Sequence, residues 1–527
     1  MLLALSIIIL PKYYITGDGA SHTYNAKVLF DMVTGQSKEF YKEFYKVNRH
    51  IDPNWSSHII IGFFTRFAPA WLADKLFQIL YVLVFCFGFR YLIRSISKEN
   101  TFLSFLFFPF LFTLPFQQGF YNYCLGLALL FWTVGFYISF RRKIYSPIVQ
   151  LILSVLVLSV SLAHGMPGIY AMMIISIIWL ITHWKKIKLL SLNFIFNHIA
   201  RLAVIFMPSI LLIVMFIAKR GFGTTPHSKT YWQKLLDFLT MWTSQSTRDV
   251  EVIPAMMSLV LVVVFSVLVF FKKDRRTFQL ARGGKLLKNL SYVFLAFAVF
   301  TFFSYITAPG TVGGAGSIEI RLAFLPPLFL LLFLACKQWL ELQKAIFILA
   351  SFVISVFFLA VRFPSVMLAN QVGQEIMTGI EYIKDESVVL NLHYDDWQIT
   401  AAGDSIFQND NSFLHFTDYY GASSNKHLVM LLNYEADINY FPVNWAAGKN
   451  PRESINNMYQ GNYPPCGNFV NYEKQTGKKI DYILLQNWRD QFSKTPCTQK
   501  LFAQMNAEGF SKKYESPHQY IVVWGRK

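Results

Sequence analysis

Runs of about 20 apolar residues, the length a helix needs to cross a bilayer, recur through the first two thirds of this chain. In lipid such a run can satisfy its own backbone groups only as a helix. The runs fall near 72–93, 101–117, 120–140, 147–163, 166–183, 202–218, 254–271, 289–307, 321–336 and 345–361. An earlier one, Leu2–Ile15, is short and interrupted by Pro11 and Lys12. The pattern predicts a polytopic α-helical membrane protein with about eleven transmembrane helices. Only 15% of the 527 residues are charged, against about 25% in soluble domains.

The net charge of +18 would suit nucleic acid if it were spread evenly, but it is not. From Arg362 onward there are 15 basic and 17 acidic residues, so the excess lies wholly in the apolar part. There it gathers between runs, at Arg141-Arg142-Lys143, at Lys185, Lys186 and Lys188, and from Lys272 to Lys288. Basic residues mark cytoplasmic loops. The clusters occupy alternate loops and hold about 17 Lys and Arg, against none in the turns near Pro115, His164 and Pro309. With an odd span number this puts the N-terminus in the cytoplasm and the C-terminal part outside. Membrane lipids are the expected surroundings and nucleic acid is excluded as a partner.

Two long outer loops are expected, 17–57 and 218–253. The first opens with helical apolar spacing through Ala26, Val28, Leu29, Met32 and Val33, with Ser21 as N-cap, and is expected along the membrane surface. The second carries Tyr231, Trp232, Leu235, Leu236, Phe238, Leu239 and Trp242, the pattern of an interfacial amphipathic helix. The membrane domain is bounded at 1–362. Residues 363–527 change character: strand-like runs at Ser387–Leu392, Leu428–Leu432, Tyr482–Leu485 and Gln519–Trp524 alternate with helical stretches at 371–384 and 498–508. They predict an extracytoplasmic α/β domain. Cys86, Cys124 and Cys336 lie in apolar runs, whereas Cys466 and Cys497 lie in this domain and are a disulfide pair if it faces an oxidising compartment.

The chemistry-bearing residues gather at the outer ends of the runs. Asp18 follows the first run between two glycines, where a carboxylate can act as a general base, and His22 stands four residues on. Asp52, Asn54, Trp55 and His58 close the same loop, a composition that suits a sugar and equally suits a turn with an interfacial anchor. Glu319 and Arg321 flank the start of a span, and Arg321 there can clamp a phosphate or pair with Glu319. Asn122 and His164 sit at outer turns, as binding groups or as partners for local backbone. The motifs of P-loop ATP hydrolysis, serine hydrolysis and zinc proteolysis are absent from the sequence.

Together these pieces resemble the GT-C superfamily of membrane glycosyltransferases, and within it a poorly characterised bacterial branch. The residues that carry the resemblance are Asp18-Gly19 with His22, Pro53-Asn54-Trp55, Gly119-Phe120-Tyr121-Asn122 and His164. In the tail they are His415 to Tyr419, Asn433-Tyr434-Glu435-Ala436 and Tyr440-Phe441-Pro442. The resemblance implies transfer of a sugar from a polyprenyl-phosphate-type lipid to a glycan, lipid or protein hydroxyl, with inversion, at the outer face of a bacterial cytoplasmic membrane. Asp18 would be the base. His22, Asp52, Asn54, Trp55, His58, Asn122, His164, Glu319 and Arg321 would hold substrate, with Trp397, Asp418 and Tyr419 helping at the acceptor. Better-known members carry paired acidic residues where this chain has one. A lone carboxylate is a poor Mg²⁺ or Mn²⁺ site, so metal use is left open. Two other readings stand beside the enzyme: a transporter or flippase of lipid-linked saccharides, and a non-catalytic membrane scaffold.

Overall fold

The computed structural model describes the chain except residues 188–191, 222, 227–228, 272–283, 313–315, 395–399, 401–402, 404, 409, 424 and 456–464. Lys188, Trp397 and most of the basic cluster from Lys272 lie outside the described residues.

Eight of the described helices are long and apolar enough to cross a membrane: 70–96, 121–143, 165–183, 199–220, 249–269, 286–307, 318–335 and 341–382. The expectation of eleven is corrected to eight, and each loss has a local cause. Leu2–Ile9 is only 8 residues long, ending just before Pro11. The run 101–117 contains Pro109 and Pro115, and it breaks into Thr101–Phe105, Phe108–Leu111 and Leu114–Gln117. Pro147–Ala163 has 17 residues, a rise of about 25 Å against a hydrocarbon core of about 30 Å. An argument from odd span number therefore gives no orientation, and the charge bias of the loops stands alone. Phe-rich packing joins these helices into one apolar core that includes Phe77, Phe85, Phe108, Phe131 and Phe358.

The last membrane helix does not stop at the composition change near residue 362. Glu341–Met377 runs straight through it and delivers the chain to a five-stranded sheet. The strand order is Leu428–Met430, Ser387–His393, Tyr482–Gln486, Ile521–Arg526, Phe510–Glu515. The first three run parallel and the last two join antiparallel. Ser387–His393 is buried along its whole length, as a parallel strand covered on both faces must be. Pro496–Ala507 is helical, and Cys466 is joined to Cys497 with 5.5 Å between their Cα atoms.

The segment 17–57, expected to lie exposed along a surface, opens in a helix that the rest of the protein encloses. Helix Gly19–Thr34 begins after Asp18, not at Ser21, and nearly all of it is buried. It packs against the tail and shares that part's core. Asn25 and Asn433 exchange amide hydrogen bonds of 2.9 Å in both directions. The Tyr24 hydroxyl donates to the Leu428 carbonyl at 2.8 Å. Strand Tyr45–Val47 pairs antiparallel with Val443–Trp445, and the Tyr45 and Trp445 rings stack at 4.7 Å. Buried polar groups keep their stability only when bonded, so these pairings fix one register between segments about 400 positions apart. The second outer stretch forms helix Tyr231–Leu239, closed by a Thr230/Gln233 capping box. It leaves Tyr231, Trp232, Leu236 and Leu239 exposed, as an interfacial helix would.

Candidate active site

The backbone around Asp18 is laid against the segment 117–119. Gly17 N–H donates to the Gln117 carbonyl at 2.8 Å and Asp18 N–H to the Gln118 carbonyl at 3.1 Å. Gly119 sits at φ +82°, and a Cβ there would come within 2.5 Å of the Asp18 nitrogen. Any other residue would push Asp18 away. The glycines flanking Asp18 serve the same close approach: a Cβ on Gly17 would meet Gln118, and one on Gly19 would meet Thr16 and Tyr121. The space beside these glycines is filled by the protein's own chain.

Substrate space lies on the other side of Asp18, in a cavity of about 730 Å³. Of the residues expected from sequence, Asp18, His22, Asn54, Asn122, His164 and Arg321 line it. Ile169 and Tyr170 from one membrane helix, with Ile213, Phe216 and Ile217 from another, form an apolar wall. The tail supplies Tyr434, Ile438, Tyr440 and Phe441. The cavity is therefore built between membrane helices and tail.

Asp18 exposes about a fifth of its side chain (21%). Burial is the largest influence on it and lifts its pKa to about 7, opposed by the charge of His22 and a hydrogen bond from Tyr434. His415 Nε2 lies 3.9 Å from Asp18 Oδ1, and the His415 ring packs on Tyr434 at 4.5 Å between centroids. Burial drives His415 down to about 3, so it is neutral. His164 accepts the Met166 N–H at Nδ1, 3.2 Å away. Burial and Arg321 hold its pKa well below the usual value. Its proton is then on Nε2, which makes it a neutral hydrogen-bond donor in the cavity wall.

Two arginines, Arg321 and Arg220, line the cavity. The Arg321 guanidinium packs on the Phe120 ring at 4.4 Å, and Arg220 packs on Tyr440 at 4.1 Å. Neither forms an ion pair with a carboxylate among the described residues, and Arg321 Nε is enclosed without a hydrogen-bond partner. The alternative pairing of Arg321 with Glu319 does not form: Glu319 lies 3.3 Å from Lys234 Nζ and outside the cavity lining.

Several expected binding residues do other work. Asp52 is 2.9 Å from Lys219 Nζ and ties the first loop to a membrane helix. Trp55 Nε1 donates to the Tyr440 carbonyl at 2.7 Å, anchoring the tail. Asn122, although it lines the cavity, donates to the Asn54 carbonyl and Ser57 Oγ and accepts from Ser57 N–H. Asn54 holds a left-handed backbone at φ +77° and bonds the Leu162 carbonyl at 3.0 Å. Asp418 is fully buried and accepts from Asn391, and Tyr419 donates to Asp74 at 2.5 Å. These two are not in the cavity lining, so they are set aside as acceptor contacts.

His58 is also buried away from the cavity. Its Nε2 lies 2.7 Å from Glu435 Oε2, while His22 Nδ1 lies 2.5 Å from Glu435 Oε1. All these ligand-type atoms fall within 4.8 Å of one another. A metal bonded at about 2.1 Å to each would spread nitrogen and oxygen to roughly 3 Å apart. The two separations, 2.5 and 2.7 Å, are those of ion-paired groups in direct contact, shorter than the spread around a bound metal. Among the described residues, the side chains in contact with Asp18 are His415 and Tyr434.

Sequence reasoning missed Arg220, and it gave Tyr434, Glu435, Tyr440 and Phe441 no role. The signal for Arg220 was present, as a cation capping an apolar run. The others stood out only as part of the resemblance, because a pairing between residues hundreds of positions apart leaves no local sign of its role. No protein-family model matches this chain, and no curated protein matches it in sequence. Its class therefore rests on the fold: a polytopic helical membrane protein with a sheet-bearing C-terminal part.

Proposed function

We propose that this protein is a membrane glycosyltransferase that moves a sugar from a polyprenyl-phosphate-type lipid to an acceptor hydroxyl at the outer face of the cytoplasmic membrane. The observation that carries this reading is one cavity holding a partly exposed carboxylate, Asp18, and two arginines, Arg321 and Arg220, without acidic partners among the described residues. A cavity lined on one side by membrane-helix side chains suits a lipid donor, and unpaired guanidinium groups suit its phosphate.

In this reading the acceptor oxygen attacks the anomeric carbon while Asp18 takes its proton. The glycosidic bond to the phosphate breaks, and the phosphate leaves with the electron pair toward Arg321 and Arg220. Attack opposite the leaving group inverts the anomeric centre. His164 donates a hydrogen bond without adding charge. Positioning and stabilisation of the departing phosphate supply most of the acceleration. No step is routed through a metal.

The test compares cells carrying the wild-type gene, a deletion, and Asp18→Asn at matched membrane abundance, by mass spectrometry of surface glycans and lipid-linked sugars. The expected result is loss of one sugar in both deletion and Asp18→Asn, with its lipid-linked form accumulating. Glycans altered by deletion but restored by Asp18→Asn would favour transport or scaffolding. Unchanged glycans in cells lacking the protein would remove the enzymatic reading.

A further inference from the structure

Two acceptors converge on His22. Its Nε2 lies 2.9 Å from the Gly119 carbonyl oxygen and its Nδ1 lies 2.5 Å from Glu435 Oε1. The Nε2 contact is a hydrogen bond to an acceptor that has no proton to give. The Nδ1 contact lacks hydrogen-bond alignment, yet it is too close for a ring lone pair to face an ionised carboxylate, so both nitrogens carry protons and the ring is an imidazolium in ion-pair contact with Glu435. Neither nitrogen is then free for substrate, although the ring lines the cavity. Glu435 is in turn held at its other oxygen by His58, and all three side chains are at most 4% exposed.

We propose that Glu435 is a positioning residue for Asp18: by fixing His22 as an imidazolium, it sets a permanent positive charge one helical turn from the Asp18 carboxylate and keeps that carboxylate ionised near neutral pH. The placement is local and rigid. His22 N–H donates to the Asp18 carbonyl at 2.9 Å within the first turn of their helix. The burial that would neutralise Asp18 is offset by a charge held in place, with Nε2 hydrogen-bonded to the Gly119 carbonyl and Nδ1 in ion-pair contact with Glu435.

The other charged and titratable groups acting on Asp18 are Tyr434, Glu435, Asp410, His415 and Asp418 from the tail and Arg321 from a membrane helix. Those acting on His22 are Glu435, Asp18, His58, His415 and Asp74. Burial alone would lower His22, but Glu435 and then Asp18 lift it to about 9, while the two histidines hold Glu435 near 2 against its burial. The proposal rests on the reading of Asp18 as the base, yet it is read out without any substrate.

Carbodiimide reacts with protonated carboxyl groups. Labelling of Asp18 by a water-soluble carbodiimide and an amine, followed by peptide mass spectrometry across pH on the detergent-purified full chain, gives its ionisation midpoint directly. Glu435→Gln is expected to raise that midpoint by about 1 pH unit, because His22 loses its proton. In a His22→Gln background the same change is expected to lower it, because only a nearby negative charge is then removed. A midpoint that falls in both backgrounds overturns the proposal, as does one that moves in neither. If Glu435→Gln does not purify as a monodisperse protein, His58→Asn decides. With His22 already charged, the midpoint stays within about 0.3 unit of wild type. A fall of about a full unit shows that His58 held the proton and overturns the assignment. Either failure leaves the transferase reading standing, since no sugar transfer is measured.

Discussion

Arg362 and Arg321 are both cations held among apolar helices, and their surroundings differ in one respect. Arg362 is fully buried; its guanidinium donates to Glu251 at 2.8 Å, to the Phe112 carbonyl at 2.8 Å and to the Ser244 carbonyl. Glu251 also accepts the N–H groups of Ser246 and Thr247 at 2.8 and 3.1 Å. That cluster knits the last membrane helix to the outer stretch near 244–251 and to the broken segment 101–117. Arg321 instead stacks on an aromatic ring beside a cavity and has no acidic partner among the described residues. A buried charge with a partner is a joint, whereas one facing space is set for a ligand.

The contrast can be broken by experiment. Arg362→Ala leaves Glu251 buried and unpaired, and should cost about 3–5 kcal/mol of stability in thermal or denaturant unfolding of the purified protein. A variant as stable as wild type would show that the joint does not hold.

Asp18→Asn should lower sugar transfer by about 10²–10⁴-fold, the range of a general base, without loss of stability. Its folded pKa, raised from 3.8 to about 7, means that the ionised carboxylate opposes folding as pH climbs between those values. The variant should therefore melt at or above wild type at pH 8, and the difference should close below pH 4. Wild-type transfer should rise with pH through about 7. His22 runs the other way: its folded pKa is raised from 6.5 to about 9, so its contribution to stability is complete below 6.5 and lost as pH rises through 9.

Arg321→Gln should weaken binding of a polyprenyl-phosphate sugar about 10–100-fold, the worth of one charged hydrogen-bonded contact, with melting unchanged. Unfolding comparable to that of Arg362→Ala would place Arg321 among the joints instead. The smallest effect is expected at Glu319→Gln. Lys234 is fully buried but keeps its 2.7 Å bond to the Ala308 carbonyl, and Glu319 is itself partly exposed, so stability should fall by less than in Arg362→Ala and transfer should not change.

The membrane part was legible because apolarity is written locally. Every long run except three returns as a long helix, and the exceptions contain proline or fall short of the bilayer thickness. The tail strands Ser387–His393 and Tyr482–Gln486 were equally plain, being continuous buried runs. The site was legible only in part. Asp18, His164 and Arg321 stand at the ends of apolar runs, where position alone singles them out. Asp52, Trp55 and His58 looked like ligands because polar and aromatic residues in a loop read alike whether they meet a sugar or another segment of the same chain. Their partners Lys219, Tyr440 and Glu435 are far away in sequence. The cover over Gly19–Thr34 was invisible for the same reason, since it comes from the tail.

The pairing of Asn25 with Asn433 also imposes an order in time. A ribosome adding about 5–20 residues per second needs roughly 20–80 s to pass from one to the other. Throughout that interval Tyr24, Asn25 and Tyr45 have emerged without the groups that will cover them, and the Asp18 pocket lacks Tyr434, Tyr440 and Phe441. Folding of this protein thus includes a docking step, in which a later-made segment closes over one made long before it. Translation halted before residue 433 would leave a chain whose segment 19–47 still waits, wet and uncovered, for its partner.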